Sequence, residues 1–279
     1  MRFFRGGKRV SILWEYHSEA VIWRIYPTGS LWILGEERDI GKKKVKFSCL
    51  DRLTGKVSWS KPLLDEWWVG VEAVTEGSIV IHGFATPDMP IHKGIALVNL
   101  PTGTVRWDRS DLSFETLGEN SIVGSLGSYG KKRYTSMDLE DGRVLQEWND
   151  EDSPVSHEAS SGPPPSVTFP VTTQDSDPMV PADVHSILKG QRGSIPVSWI
   201  RTGSFLVVSF QGPGSESRVA QVLSVRRNED GAEVFSDSIA TDMFVPDSFL
   251  VQDEMLYYVR AGKDLVAVNL ESMTMKDKT

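Results

Sequence analysis

The sequence predicts an all-β fold, a β-propeller built from four-stranded antiparallel blades, and three observations carry the prediction. A strand–turn–strand motif recurs along the chain, further strand pairs lie between its copies, and helical periodicity is nearly absent. The expected organisation is one domain over residues 1–279 with five blades, or six if an irregular segment at about 149–192 conceals one.

The elements follow in order. Gly7–Trp14 reads as a strand closing on tryptophan, and strand pairs follow at Ala20–Tyr26 with Ser30–Gly35. Val45–Trp59 is the first full motif: an alternating strand, Asp51, a turn ending in Gly55, and a second strand ending in Trp59. After the pair Trp67–Val74 and Gly77–Gly83, the motif returns as Gly94–Trp107, with Asn99 and Gly103, and as Arg133–Trp148, with Asp138 and Gly142. The Asp or Asn side chain accepts from backbone N–H groups of the turn, and the glycine supplies the positive φ that closes a tight hairpin. Trp59, Trp107 and Trp148 are expected to point inward and fill the space between packed sheets.

Weaker copies are Val219–Phe235, with Phe in place of Trp, and Leu265–Met273, which keeps the strand and Asn269 but has no turn glycine. Gly55 and Gly103 lie 48 residues apart and Gly103 and Gly142 39 apart, which brackets a propeller repeat of roughly 40 to 50 residues. The next interval, 89 residues to Gly231, holds the irregular segment. That segment contains Pro163–Pro165 and one short helical pattern, Pro181–Gly190, and is expected to be a long surface loop. Because the last copy lacks its second strand, the N-terminal strand is expected to complete it and close the ring without an open sheet edge.

Composition narrows the function classes. The chain has 279 residues, 39% hydrophobic, with a formal net charge of −8 and no long basic run, which argues against nucleic acid and anionic membrane as partners. Cys49 is the only cysteine, so an intramolecular disulfide and a four-thiolate zinc site are both excluded. The apolar run Val10–Trp14 is too short for a signal peptide, and no stretch approaches the roughly 20 apolar residues of a spanning helix. The cytoplasm is the expected location.

Three segments offer candidate sites. Glu36, Glu37, Arg38 and Asp39, followed by Lys42–Lys44, combine carboxylates with a basic loop, although a solvated, charged hairpin tip with Arg38 paired to a carboxylate is the preferred reading. His82, Asp88 and His92 have a composition suited to a divalent ion or a general base, but no recognised ligand spacing, so no metal is assigned. His82 ends its strand where Glu36 ends the corresponding strand one repeat earlier, so the two groups are candidates for one shared face. Asp65, Glu66, Trp67 and Trp68, with Glu72 beyond, pair aromatics with acids as a sugar-active site would, yet tandem tryptophans alternate faces on a strand, which places one in the core and one between blades. No nucleophile elbow, phosphate loop, dinucleotide fingerprint or His-Glu-x-x-His pair occurs, so catalysis is left open.

The strand–Asp/Asn–Leu–Thr-Gly-Lys–Val–Trp pattern resembles the repeat of quinoprotein-like propellers. That resemblance implies the fold; the adjacent cysteines of quinone dehydrogenases have no counterpart here, and no cofactor is inferred. The segments Gly35-Glu-Glu-Arg-Asp39 with Lys42–Lys44, Trp67-Trp68-Val-Gly and His82-Gly-Phe-Ala-Thr-Pro-Asp-Met-Pro90 resemble a bacterial family of uncharacterised domains over most of the first 110 residues. This second likeness supplies no catalytic residues. The expected function is a non-catalytic binding or scaffolding propeller for a protein partner, and the alternative is an enzyme or a small-ligand or metal binder with its site at the mouth of a central channel.

Overall fold

A computed structural model describes residues 12–29, 31–64, 67–86, 89–127, 131–149, 166–188, 195–213, 219–240, 245 and 248–274. The chain divides into two compact units, Trp23–Pro164 and the pair of segments Met1–Ile22 with Pro165–Thr279. The described residues form five antiparallel sheets, and each is a meander in which neighbours in sequence are neighbours in space, except that the N-terminal strand and one two-residue strand flank the last three strands of the chain.

The unit spanning Trp23–Pro164 carries three four-stranded sheets. The first is β2 (Val21–Thr28), β3 (Trp32–Asp39), β4 (Lys44–Asp51) and β5 (Val57–Lys61); the second is β6 (Val69–Val74), β7 (Ser78–Thr86), β8 (Met89–Asn99) and β9 (Thr104–Arg109). The third is β10 (Ser113–Leu117), β11 (Ser121–Leu126), β12 (Arg133–Asp138) and β13 (Val144–Asn149). Apolar residues at alternate strand positions bury between consecutive sheets. One cluster joins Leu34, Phe47 and Trp59 to Val69, Ile79 and Ile81, and a second joins Ile95 and Leu97 to Leu112, Ile122 and Met137.

The turns behave as their chemistry requires. Asp51 Oδ1 accepts from the backbone N–H of Leu53 and Thr54, Asn99 Oδ1 from Thr102, and Asp138 Oδ1 from Glu140. Gly55, Gly103, Gly142 and Gly231 take φ of 69°, 66°, 73° and 69°.

The motif tryptophans lock each sheet to the next. Trp59 Nε1 donates to the Leu100 carbonyl at 2.7 Å, and its ring lies under the following turn so closely that a Cβ on Gly103 would sit 2.7 Å from it. Trp107 repeats this one sheet later, donating to the Leu139 carbonyl, with the Gly142 Cβ position 2.8 Å from its ring. Trp148 breaks the series. Trp59 and Trp107 stand opposite Cys49 and Leu97, two residues before the turn Asp or Asn, whereas Trp148 stands opposite Tyr134, four before Asp138, and stacks on that ring. The expectation that it plays the same part is therefore corrected: β13 carries its tryptophan one pleat further along.

The second unit holds two five-stranded sheets. One runs β15 (Val171–Gln174), β16 (Pro196–Thr202), β17 (Phe205–Pro213), β18 (Val219–Arg227) and β19 (Glu233–Ala240). The other runs β1 (Ile12–His17), β22 (Asp264–Asn269), β21 (Met255–Arg260), β20 (Phe249–Gln252) and β14 (Val167–Thr168). The N-terminal strand pairs with β22 as expected, and buried Trp14 faces Ala267, two residues before Asn269, in the register of Trp59 and Trp107. The irregular segment is more than a loop. Its described part supplies the edge strands β14 and β15 and the helix α1 (Ala182–Ile187), whose Val184 packs with Leu188, Val197 and Trp199. Residues 150–165 and 189–194 lie outside the described set. Among the described residues no helix is long and apolar enough to cross a membrane.

Candidate functional site

The ends of the first and second strands in the Trp23–Pro164 unit repeat a polar pairing with a ten-residue offset. Tyr26 on β2 meets Glu36 on β3, Glu72 on β6 meets His82 on β7, and Glu115 on β10 meets Ser125 on β11. Glu72 and Glu115 each occupy a β-bulge, between Val71 and Ala73 and between Phe114 and Thr116, where the extra residue turns its side chain onto the neighbouring strand.

In the first sheet the pairing is a closed ion pair. Glu36 is 2% exposed and accepts from Tyr26 O–H at 2.8 Å and from Arg38 Nε at 2.6 Å. Burial, then the Glu36 charge, pushes the Tyr26 hydroxyl above its ordinary value. Arg38 also donates to the carbonyls of Trp67 and Val69 and lies 5.2 Å from the centre of the Trp67 ring and 6.0 Å from that of Trp23. Glu37 is separately buried, accepting from Ser48 and paired with Lys46. Asp39 stays at the hairpin tip, bound to Lys42. The expected solvated acidic tip is thus corrected for Glu36 and Glu37, because the strand continues to Asp39 and carries both carboxylates into the sheet.

In the second sheet the two histidines meet. Their rings stack with centroids 3.7 Å apart and planes 11° apart, and Phe84 closes on both edge-to-face. Glu72 Oε1 lies 3.0 Å from His82 Nδ1 and 2.5 Å from His92 Nδ1. Burial raises the Glu72 carboxyl, but the two histidines outweigh it and hold it below the usual range. His82 is 5% exposed and neither ring nitrogen makes a hydrogen bond, the Glu72 approach being short but misdirected. Its ring faces Gly70, where a Cβ would stand 2.7 Å from Cε1. His92 is more open, and its carbonyl accepts from Ser113 Oγ. Asp88, Asp65 and Glu66 lie outside the described residues.

A chain of ring contacts joins the two groups. Trp67 and Trp68 meet edge-to-face, and Trp68 meets Phe84 the same way. Trp68 is 42% exposed and Trp23 56% exposed, so the expected burial of both tandem tryptophans is corrected: Trp67 packs on the core and Trp68 faces solvent. Sequence reading missed Glu72 as the partner of the histidines. The signal was present in Glu72-Ala-Val-Thr-Glu-Gly-Ser-Ile-Val80, which matches Glu115-Thr-Leu-Gly-Glu-Asn-Ser-Ile-Val123 at five positions.

Residues 26–107 match the family model described as Domain of unknown function (DUF4905), a stretch that contains both groups. No curated protein matches the chain. Among solved structures, the chain is similar to BamB from Moraxella catarrhalis, at 11% identity, 93% of this chain, 88% of that one and a TM-score of 0.36. It is also similar to the beta-propeller domain of the Trilobed protease from Pyrococcus furiosus, at 9% identity, 87% and 78% coverage and a TM-score of 0.31. At these scores the architecture rests on the sheets themselves.

Proposed function

We propose that the chain is a single five-bladed propeller closed by its N-terminal strand, and that it acts as a non-catalytic binding module for a protein partner. Five sheets with one repeated hairpin, and β1 completing the sheet of β22, support the architecture. The binding reading rests on one observation: an arginine that two backbone carbonyls and a buried carboxylate hold in place lies against exposed Trp23 and against Trp67, whose ring in turn meets exposed Trp68 edge-to-face. Large aromatics and arginine on a rigid base are the composition of interface hot spots, since they bury much area at little entropic cost. The test is affinity capture with the wild type and with Trp23→Ala/Trp68→Ala. A partner retained by the wild type and lost by the variant supports the reading; identical captured sets overturn it.

A second reading, a small ligand or metal ion held where β6, β7 and β8 converge, is favoured by the meeting of Glu72, His82 and His92.

A further inference from the structure

We propose that Glu72, His82 and His92 bind one divalent first-row cation of the kind imidazole favours, with the remaining coordination position open to solvent or ligand. The proposal is independent of the protein-partner reading.

Three observations support it. The donor atoms of the three side chains all lie within 4.8 Å of one another, and each comes from a different strand of one sheet, so the set is assembled by the fold rather than by a flexible loop. Two imidazoles and one carboxylate are a donor set suited to zinc and its neighbours, whereas calcium and magnesium prefer oxygen. His82 is buried, its Nδ1 stands 3.0 Å from Glu72 Oε1 without an aligned hydrogen bond, and its Nε2 has no hydrogen-bond partner, an unfavourable state for a buried polar group. A ligated ion gives one of those nitrogens a partner.

The neighbouring sheet supplies the comparison. There the same bulge position is Glu115, which accepts from Ser125 and pairs with the Lys132 ammonium at 2.5 Å. By ladder register, His82 stands where Ser125 stands and His92 where Lys132 stands, since Gly83 faces Lys93 as Leu126 faces Arg133. The second sheet therefore keeps the carboxylate and replaces its fixed cation with two metal-ligating side chains. A bound ion occupies the role of the lysine ammonium.

Geometry adds a condition. A metal lies near the plane of each imidazole that ligates it, at about 2.1 Å from nitrogen. Rings stacked face to face cannot both satisfy this, so binding opens the stack. The absence of a side chain at Gly70 is what leaves the His82 edge room to turn.

The test is calorimetric titration of chelator-treated full-length protein with Zn2+, alongside Co2+ absorption spectroscopy. The expected result is one Zn2+ per chain in the micromolar range or tighter, with a Co2+ visible spectrum showing nitrogen ligation. His92→Ala and Glu72→Gln each weaken binding about 100-fold or more, beyond the 10–100-fold cost of losing a supporting partner alone. Gly70→Ala, which pushes on the His82 ring without removing a ligand, weakens it to a smaller degree, and His185→Ala, on the exposed face of α1, leaves it unchanged. Circular dichroism checks that each variant is folded, and Glu72→Gln, which is nearly isosteric, carries the test if His92→Ala does not fold. Wild-type protein that takes up no Zn2+ below millimolar concentration, or folded ligand variants that bind as the wild type does, overturn the proposal.

Discussion

Replacing Gly103 by alanine tests whether the motif tryptophans lock consecutive sheets together. Two effects add at this position. The backbone sits at φ 66°, where an L-residue is strained by roughly 1–2 kcal/mol. The new Cβ also arrives 2.7 Å from Trp59 Cδ2 and 2.8 Å from Lys61 Cε. The indole cannot simply retreat, because it is buried and its Nε1 is bonded to the Leu100 carbonyl. Overpacking of this kind costs about 1–3 kcal/mol, so Gly103→Ala is expected to lose about 2–5 kcal/mol in all. Gly231 is the control: φ is 69°, yet no atom lies within 4 Å of its Cβ position, so Gly231→Ala loses the strain alone, about 1–2 kcal/mol. Urea unfolding followed by circular dichroism measures both. A double-mutant cycle isolates the contact, since in a Trp59→Ala background Gly103→Ala should fall back to the strain cost, giving a coupling of about 1–3 kcal/mol. Equal losses at Gly103 and Gly231, or additivity in the cycle, would refute the interlock.

Two further expectations follow from other parts of the molecule. Cys49 is fully buried and burial pushes its thiol up to about 12, so a thiol reagent at pH 8 should leave the native protein unmodified and label one thiol per chain in urea; fast native labelling would contradict the packing of β4. Burial raises the Asp264 carboxyl, but His17 at 2.6 Å and Arg260 outweigh it and hold it low, so its folded value lies below its unfolded value of about 4. A depressed carboxyl stabilises above the unfolded value and loses that contribution as pH falls through the folded one. Asp264→Asn should therefore unfold earlier than the wild type at pH 7, with the two converging below pH of about 4; a gap that persists at pH 2 would contradict this assignment.

How much the sequence reveals depends on the range of the physics involved. The Asp51, Asn99 and Asp138 turns were legible because a side chain capping its own turn, followed by a positive-φ glycine, is local chemistry. The N-terminal strand pairing with β22 was legible because the last motif was one strand short. Trp148 was misplaced although the sequence carried the signal: it stands six residues after Gly142, whereas Trp59 and Trp107 stand four after Gly55 and Gly103, and the two extra residues move it one pleat along the ladder to β12. At the site, His82 and His92 could be nominated from composition, but their stacking depends on β7 and β8 pairing with a register shift between Ile81 and Gly83. Glu72 was seen only as part of an aromatic–acidic run, because the bulge that aims it at His82 arises from pairing between β6 and β7. Glu36 and Glu37 read as solvent-exposed because charge is usually solvated; cross-strand partners Tyr26, Lys46 and Ser48 make their burial tolerable.

The central claim is that the surface around Trp23 and Trp68 is where a partner docks. Photocrosslinking tests it most directly, with p-benzoylphenylalanine placed at position 68 or, as a control, at the exposed turn residue Leu53 of the same unit, and exposure in lysate followed by mass spectrometry. The account predicts a discrete adduct from position 68 that Arg38→Ala abolishes and none from position 53. Equal adducts from both positions, or none from position 68, would contradict it.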